Sequence, residues 1–262
     1  MRKILCIILF ISFTVFAQDP LERLEQSPRH HEWVDIEYGD RTVTGFLVYP
    51  EVSEKVPAII VIHENRGLND WARSFADQIA EAGYIALAPD LLSGEGPDGG
   101  GTASFENSDA ARTAIYELNP EQVTADLNAT VDFVRSIPSG NGKVAVIGFC
   151  WGGSQSFRFA TINKDIKAAF VCYGTGPENP EVYKNIEVPV YGFYGGNDNR
   201  VNATIEVSEE LMKVNNKIYL PVIYEGAGHG FFRTGEAKDA SEANKKGREE
   251  GMERLLKLLS EL

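Results

Sequence analysis

The chain has few cysteines and few basic residues for its length. Only three cysteines occur in 262 residues, and one of them, Cys6, lies in an apolar run at the amino terminus. Lysine and arginine together number 25 against 38 aspartates and glutamates, so the formal net charge is −13. Such a chain is not expected to bind nucleic acid or an anionic membrane surface. An anionic small molecule would need a local cationic group to hold it.

The amino-terminal apolar run is too short for a membrane-spanning helix. Arg2 and Lys3 precede it, and it extends from Ile4 to Phe16, with Ala17 after it. A run of roughly 13 residues falls short of the ~20 that cross a bilayer. A basic start, an apolar centre and a small residue at the end are typical of a secretory signal peptide. We therefore predict that residues 1–17 are removed and that the protein is exported, to a periplasm or outside the cell. The mature form is expected to have no membrane contact. A membrane anchor is the alternative interpretation of residues 1–17.

The rest of the chain has the pattern of an α/β protein. Residues 32–50 alternate apolar and polar side chains around Gly39-Asp40, which predicts an antiparallel β-hairpin. Continuous apolar runs then alternate with helical stretches, which is typical of a mostly parallel sheet covered by helices on both faces. The predicted strands are 58–63, 84–89, 143–149, 167–173, 189–196 and 218–225, and the predicted helices are 71–82, 120–136, one from 152, 203–214 and 240–259. With no linker or repeat visible, we expect one domain over residues 28–262.

A cysteine stands between two glycines where a strand gives way to a helix. The segment is Gly148-Phe149-Cys150-Trp151-Gly152. A nucleophile on so tight a turn takes strained backbone angles, and the flanking glycines let the strand and the helix approach each other. The turn also places the thiol at a helix amino terminus, where a thiolate is favoured. Cys150 is therefore the candidate nucleophile.

Two further polar residues follow later strands in the order that α/β-hydrolases use. Asp198 comes after the strand ending in GFYG, and His229 comes after the strand ending in VIYE. Parallel strands bring these loops to one edge of the sheet. His229 is expected to act as the base, and Asp198 to fix its tautomer and stabilise the imidazolium.

The segment HENRG ends the first buried strand, where an α/β-hydrolase keeps half of its oxyanion hole. The expected donors are the backbone N–H groups of Asn65 and Trp151. Glu64 beside the thiol could hold the Cys150 proton until substrate displaces it, or could form a salt bridge to Arg66 or Arg233.

The segments HENRGL, GFCWGG, GGNDNRV and GHGFF, spread over nearly the whole mature chain, resemble the dienelactone hydrolase family, also called carboxymethylenebutenolidases. The resemblance implies an α/β-hydrolase fold and a triad of Cys150, His229 and Asp198. It matches Glu64 to the glutamate that activates the thiol, and Arg233 to an arginine that binds the substrate carboxylate.

The chain also departs from the family. Polar Asn65 and Arg66 stand where the muconate-pathway enzymes carry apolar residues, so the pocket wall differs. Arg112 is a candidate for the second substrate arginine only by its rough position.

Other conspicuous residues have simpler interpretations. His63, at a strand end, is either a packed side chain or a second base. His30 and His31 lack the spacing of a metal site, so no metal site is predicted there. No cofactor is predicted either. Cys172 lies in an apolar strand, as a buried inert thiol does, although a disulfide with Cys150 is the alternative. The glycine-rich stretch 93–108 is a mobile loop beside the site or a plain surface loop.

The predicted function is hydrolysis of a small-molecule ester or lactone, which could carry a carboxylate, through a thioester on Cys150. Two alternatives use the same fold: a thiol redox or sensing protein, and a non-catalytic ligand-binding protein.

Overall fold

Within residues 19–262, which the computed structural model describes, eight strands form one sheet with helices around it. The strands are β1 (His31–Tyr38), β2 (Arg41–Val48), β3 (Val56–Ile62), β4 (Ile85–Pro89), β5 (Gly140–Phe149), β6 (Ala169–Cys172), β7 (Val190–Gly195) and β8 (Tyr219–Tyr224). The helices are α1 (Pro20–Gln26), α2 (Asp70–Glu81), α3 (Ser108–Glu117), α4 (Pro120–Ser136), α5 (Trp151–Ala160), α6 (Asn199–Asn202), α7 (Ile205–Val214), α8 (Phe231–Thr234) and α9 (Glu242–Leu259). The predicted signal peptide, residues 1–17, lies outside the described residues.

The sheet has the predicted mixed topology. Its order is β1-β2-β4-β3-β5-β6-β7-β8. The β1–β2 hairpin turns at Gly39 and Asp40, and β2 also runs antiparallel to β4, whereas the remaining neighbours are parallel. The carboxyl ends of β3, β5, β6, β7 and β8 therefore point to the same edge, where the candidate residues follow them.

Apolar side chains of the central strands pack on both faces of the sheet. In β3, Ile60 and Ile62 belong to the cluster that includes Leu127 of α4, while Ile59 and Val61 belong to the cluster that includes Phe75 of α2. All six are fully buried. Burial on both faces explains why the sequence of β3 shows no alternation, and it confirms the predicted α/β architecture.

Local sequence explains where two of the predicted helices begin and end. Asn119 caps α4 by accepting a hydrogen bond from Glu121 N–H (2.8 Å), and Pro120 takes the first helical position. After α2, Gly83 adopts φ +97°, a left-handed conformation that glycine tolerates without a Cβ penalty.

The sequence interpretation was wrong at the carboxyl-terminal edge of the sheet. The run 218–225 predicted a strand buried on both faces. Among the strands of residues 19–262, however, β8 pairs only with β7, and Ile218, Leu220 and Ile223 are 57%, 52% and 54% exposed. The helix predicted over 203–214 is observed as α7, which begins two residues later at Ile205, and the short helix α6 precedes it. Helix α3 was not predicted.

Helix α1 precedes the predicted domain start at residue 28, yet it packs on α2. Its Leu24 is buried, and Arg23 forms an ion pair with Glu81. Through residues 19–262, no helix has both the length and the apolar character needed to cross a bilayer.

Candidate active site

Cys150 occupies a strained turn between β5 and α5. Its backbone angles are φ 55° and ψ −114°, which a residue with a side chain rarely adopts. A Cβ atom on Gly148 would lie 1.9 Å from the carbonyl oxygen of Gly152, and one on Gly152 would lie 2.3 Å from the carbonyl oxygen of His63. Both glycines are therefore required, as the sequence pattern predicted.

The resting thiol of Cys150 is held in its protonated form. Burial raises the pKa of the Cys150 thiol, and the negative charge of Glu64 raises it further. The Trp151 N–H at the start of α5 and the charge of Arg200 act in the opposite direction. The predicted thiolate-favouring effect of the helix terminus is thus present, but burial outweighs it. The thiol needs a base, or a change in its surroundings, before it can attack.

His229 and Asp198 form a direct pair on neighbouring loops. Nδ1 of His229 lies 2.5 Å from Oδ2 of Asp198. The Asp198 side chain is 6% exposed, and it also accepts a long hydrogen bond from Val201 N–H at the start of α6. Because a carboxylate accepts hydrogen bonds, the proton of neutral His229 is on Nδ1 and Nε2 is left to exchange protons. The charge of Asp198 also acts on the Cys150 thiol.

Glu64 is bound to Arg233, one of the two arginines that the sequence left open as its partner. Its Oε2 accepts a hydrogen bond from Arg233 Nε (2.7 Å), and its Oε1 accepts one from the hydroxyl of Tyr173 (3.2 Å). The Glu64 side chain is 9% exposed and that of Arg233 is 45% exposed. Arg233 therefore neutralises Glu64 with one edge of its guanidinium and presents the rest to solvent.

Tyr173 is a site residue that the sequence interpretation missed. It follows β6 with φ 41°, it is buried, and its ring makes a T-shaped contact with the ring of His229 at a centroid distance of 5.0 Å. Burial, and then Glu64, raise the pKa of its hydroxyl well above the usual value, so it remains a donor. Its position at a strand end was the available signal, but the apolar run 167–173 concealed it.

His63 has both ring nitrogens occupied by the backbone. Nδ1 lies 2.8 Å from the carbonyl oxygen of Glu64, and Nε2 accepts from Leu91 N–H (3.3 Å). Its ring stacks on that of Trp151, with centroids 5.6 Å apart and planes 12° apart. Burial lowers the pKa of His63, so the ring is neutral. His63 is a packed side chain, and the second-base interpretation was wrong.

Helix α3 lies beside the predicted oxyanion donors. Its Ala111 and Ile115 belong to a small cluster on which Trp151 packs, and its Tyr116 hydroxyl accepts a hydrogen bond from the Asn65 side chain (3.1 Å). Arg112 is exposed one turn before Tyr116, at a surface cavity of about 410 Å³. A second cavity, of about 630 Å³, is lined by Arg233, Trp71 and Asn244, among others.

The glycine-rich stretch 93–108 is fixed by hydrogen bonds. Thr102 donates through its N–H (2.7 Å) and its hydroxyl (2.7 Å) to the carboxylate of buried Asp90. The same hydroxyl accepts from Leu68 N–H (2.9 Å), just after the segment that carries Asn65. These contacts support the plain-loop interpretation and tie the stretch to the oxyanion segment.

Neither a disulfide nor a metal cluster occurs in the part of the chain that the structure describes. Cys150 and Cys172 are both free, and Cys172 is fully buried. Throughout residues 19–262, no group of His, Cys, Asp and Glu side chains has the geometry to hold a metal ion. His31 binds buried Asp77 instead, with its Nε2 2.8 Å from the carboxylate.

Comparison with known proteins agrees with this arrangement of strands. The sequence profile of the dienelactone hydrolase family matches residues 43–262. A carboxymethylenebutenolidase of Pseudomonas putida is 30% identical over 211 residues, which cover 78% of this chain and 86% of that protein.

Solved structures show the same fold at lower identity. A dienelactone hydrolase-like promiscuous phosphotriesterase from metagenomic libraries has a TM-score of 0.75 and 23% identity, covering 89% of this chain and 98% of its own. The dienelactone hydrolase of Anabaena variabilis has a TM-score of 0.63 and 18% identity, covering 84% of this chain and 94% of its own.

Proposed function

The chain belongs to the dienelactone hydrolase family, a family of ester and lactone hydrolases, and from this premise we propose that it acts through Cys150 and a thioester intermediate. The hydrogen bond between His229 Nδ1 and Asp198 carries the proposal, because it gives the imidazole the tautomer that a general base needs. The strained Cys150 turn supplies the nucleophile.

In the acylation half-reaction, the thiol proton passes to Glu64 when a substrate group competes for Arg233. The sulfur then forms a bond to the carbonyl carbon, and the N–H groups of Asn65 and Trp151 hold the oxyanion. Collapse of this intermediate breaks the C–O bond, and the leaving oxygen takes up the proton that the thiol gave up. The acyl group remains on Cys150 as a thioester.

In the deacylation half-reaction, His229 takes a proton from water while the water oxygen attacks the thioester carbon. The C–S bond breaks, the acid leaves, and the proton returns through His229 to the sulfur of Cys150. Asp198 stabilises the imidazolium that exists between these two transfers.

The substrate proposed is an ester or lactone that carries a carboxylate. Arg233 offers the exposed part of its guanidinium beside Glu64. An arginine guanidinium binds a carboxylate through paired hydrogen bonds. Such a cation is needed because the net acidic chain would otherwise repel the substrate carboxylate. Arg112, exposed on α3, is proposed as a second cation for the same substrate.

The experiment is hydrolysis of a panel of small aryl esters and enol lactones, with reductant present, by wild type, Cys150→Ala and Cys172→Ala. Cys150→Ala is expected to lose turnover, and Cys172→Ala to retain it, because only Cys150 lies on the strained turn. Mass spectrometry of the acid-quenched enzyme should find the acyl group on Cys150. Equal rates for all three proteins, or inactivity of the folded and reduced wild type, would reject the proposal in favour of thiol redox chemistry or ligand binding.

We also propose that residues 1–17 are a signal peptide and that residues 28–262 form the exported hydrolase domain. The support is the basic start and the short apolar run. Amino-terminal sequencing of the protein from its native host tests the cleavage, and an uncleaved terminus would contradict it.

A further inference from the structure

We infer that His63 is a positioning residue that directs the backbone N–H of Asn65 into the oxyanion hole. The inference rests on the proposed hydrolysis and adds a residue to its machinery. Nδ1 of His63 lies within hydrogen-bond distance, 2.8 Å, of the carbonyl oxygen of Glu64.

The Glu64 carbonyl and the Asn65 N–H belong to the same peptide unit. This peptide is trans and planar, so its N–H points away from its carbonyl oxygen. A group that fixes the direction of the carbonyl therefore fixes the direction of the N–H as well. His63 holds the carbonyl on one side, and the Asn65 N–H is turned to the other.

The tautomer of His63 is set by its two partners. A carbonyl oxygen only accepts, so Nδ1 carries the proton, and the Leu91 N–H donates to the unprotonated Nε2. This chain of two hydrogen bonds links the segment after β4 to the oxyanion segment after β3. Both segments are thereby held in one orientation by a ring that is itself fully buried.

The same ring contacts the second oxyanion donor. His63 stacks on Trp151, whose N–H begins α5. The backbone of β3 also meets this turn directly, because a Cβ atom on Gly152 would lie 2.3 Å from the carbonyl oxygen of His63 and 2.5 Å from that of Ile62. His63 thus contacts the peptide that carries the Asn65 N–H and the side chain of the residue that carries the Trp151 N–H.

A matched pair of substitutions separates the two hydrogen bonds. His63→Asn places an amide donor at the position of Nδ1 and keeps the bond to the Glu64 carbonyl. His63→Gln places an amide oxygen at the position of Nε2 and keeps the bond from Leu91 N–H. His63→Leu removes both, and each variant loses the ring that stacks on Trp151.

The measurements are kcat and KM for an aryl ester that wild type hydrolyses, and the rate of Cys150 alkylation by iodoacetamide. Loss of one oxyanion donor costs about 10²- to 10³-fold in kcat, so misdirecting it is expected to cost about 10- to 100-fold in His63→Gln and His63→Leu. His63→Asn should regain most of this loss. KM and the alkylation rate should stay within about threefold in all three variants, since neither attack on iodoacetamide nor ground-state binding uses the oxyanion hole.

Equal kcat values for His63→Asn and His63→Gln would overturn the inference. So would a parallel fall of kcat and alkylation rate, because that result describes a general disturbance of the Cys150 turn. A wild type that hydrolyses none of the panel esters overturns the proposed function, and the role of His63 with it; the two failures are therefore distinguishable.

Discussion

Replacing Glu64 with glutamine decides whether this residue takes the thiol proton or serves only as the ion-pair partner of Arg233. The change is nearly isosteric. The amide oxygen can still accept from Arg233 Nε, which lies 2.7 Å from Oε2 in the wild type, while the Tyr173 hydroxyl accepts from the amide instead of donating to Oε1. The charge beside Cys150 disappears and the packing remains.

The two possible roles of Glu64 predict effects of very different size when the residue is replaced. The lost ion pair is worth about 1 kcal/mol, because the Arg233 side chain is 45% exposed and solvent screens it. A positioned proton acceptor is worth about 10²- to 10⁴-fold in rate, which corresponds to about 3–5 kcal/mol in the transition state. Glu64→Gln is therefore expected to fold normally and to hydrolyse esters about 10²- to 10⁴-fold more slowly.

The reactivity of the thiol should change in the opposite direction. Glu64 raises the pKa of Cys150, so its removal lowers that pKa, and the rise of alkylation rate with pH should move to lower pH. Alkylation by iodoacetamide is measured from pH 6 to 10 beside steady-state hydrolysis. Hydrolysis that stays within about threefold of wild type while alkylation becomes faster would refute the proton-accepting role and leave Glu64 as a structural partner of Arg233.

Three further predictions concern the other site and support residues. Asp198→Asn should lower kcat by about 10⁴-fold in steady-state assays, because the amide favours the wrong tautomer of the imidazole; an effect under tenfold would contradict the triad. Arg233→Met should raise KM for an ester that carries a carboxylate by about 10-fold more than for its neutral isostere, and equal changes would exclude carboxylate binding. Glu236→Ala should lower the free energy of unfolding by about 3–5 kcal/mol in chemical denaturation, because Glu236 accepts hydrogen bonds from Trp71 Nε1, Gln78 Nε2 and the mostly buried Arg248. Glu242→Ala, whose side chain is 93% exposed, is the control and should change it by under about 0.5 kcal/mol.

The sequence predicted the strands well where burial on both faces forces an unbroken apolar run, as in β3. It failed where an apolar run has another cause. Residues 218–225 read as a central strand, but β8 is an edge strand, and position in the sheet is not encoded in local pattern. Helix α3 was missed because only Ala111 and Ile115 of its ten residues are buried, which leaves little periodicity to detect.

At the site, the sequence placed residues that follow strand ends but could not choose among long-range partners. Arg66 and Arg233 were equal candidates for Glu64 until the fold brought Arg233 to it across 169 positions. Tyr173 and Glu64 are 109 positions apart, so their hydrogen bond has no local signature. The same holds for His63, whose partner Leu91 belongs to the segment after a neighbouring strand.

The exposed edge of β8 has a consequence for handling the protein at high concentration. Val190 N–H donates to the carbonyl oxygen of Ile218, so alternate residues of β8 turn their backbone groups towards β7, and Pro221, which lacks an N–H, faces outward. A second extended chain that approached this edge would find apolar side chains but an interrupted row of donors. Pro221 thus disfavours edge-to-edge pairing of β8 with a strand of another molecule. Variants made for storage or immobilisation should therefore keep Pro221.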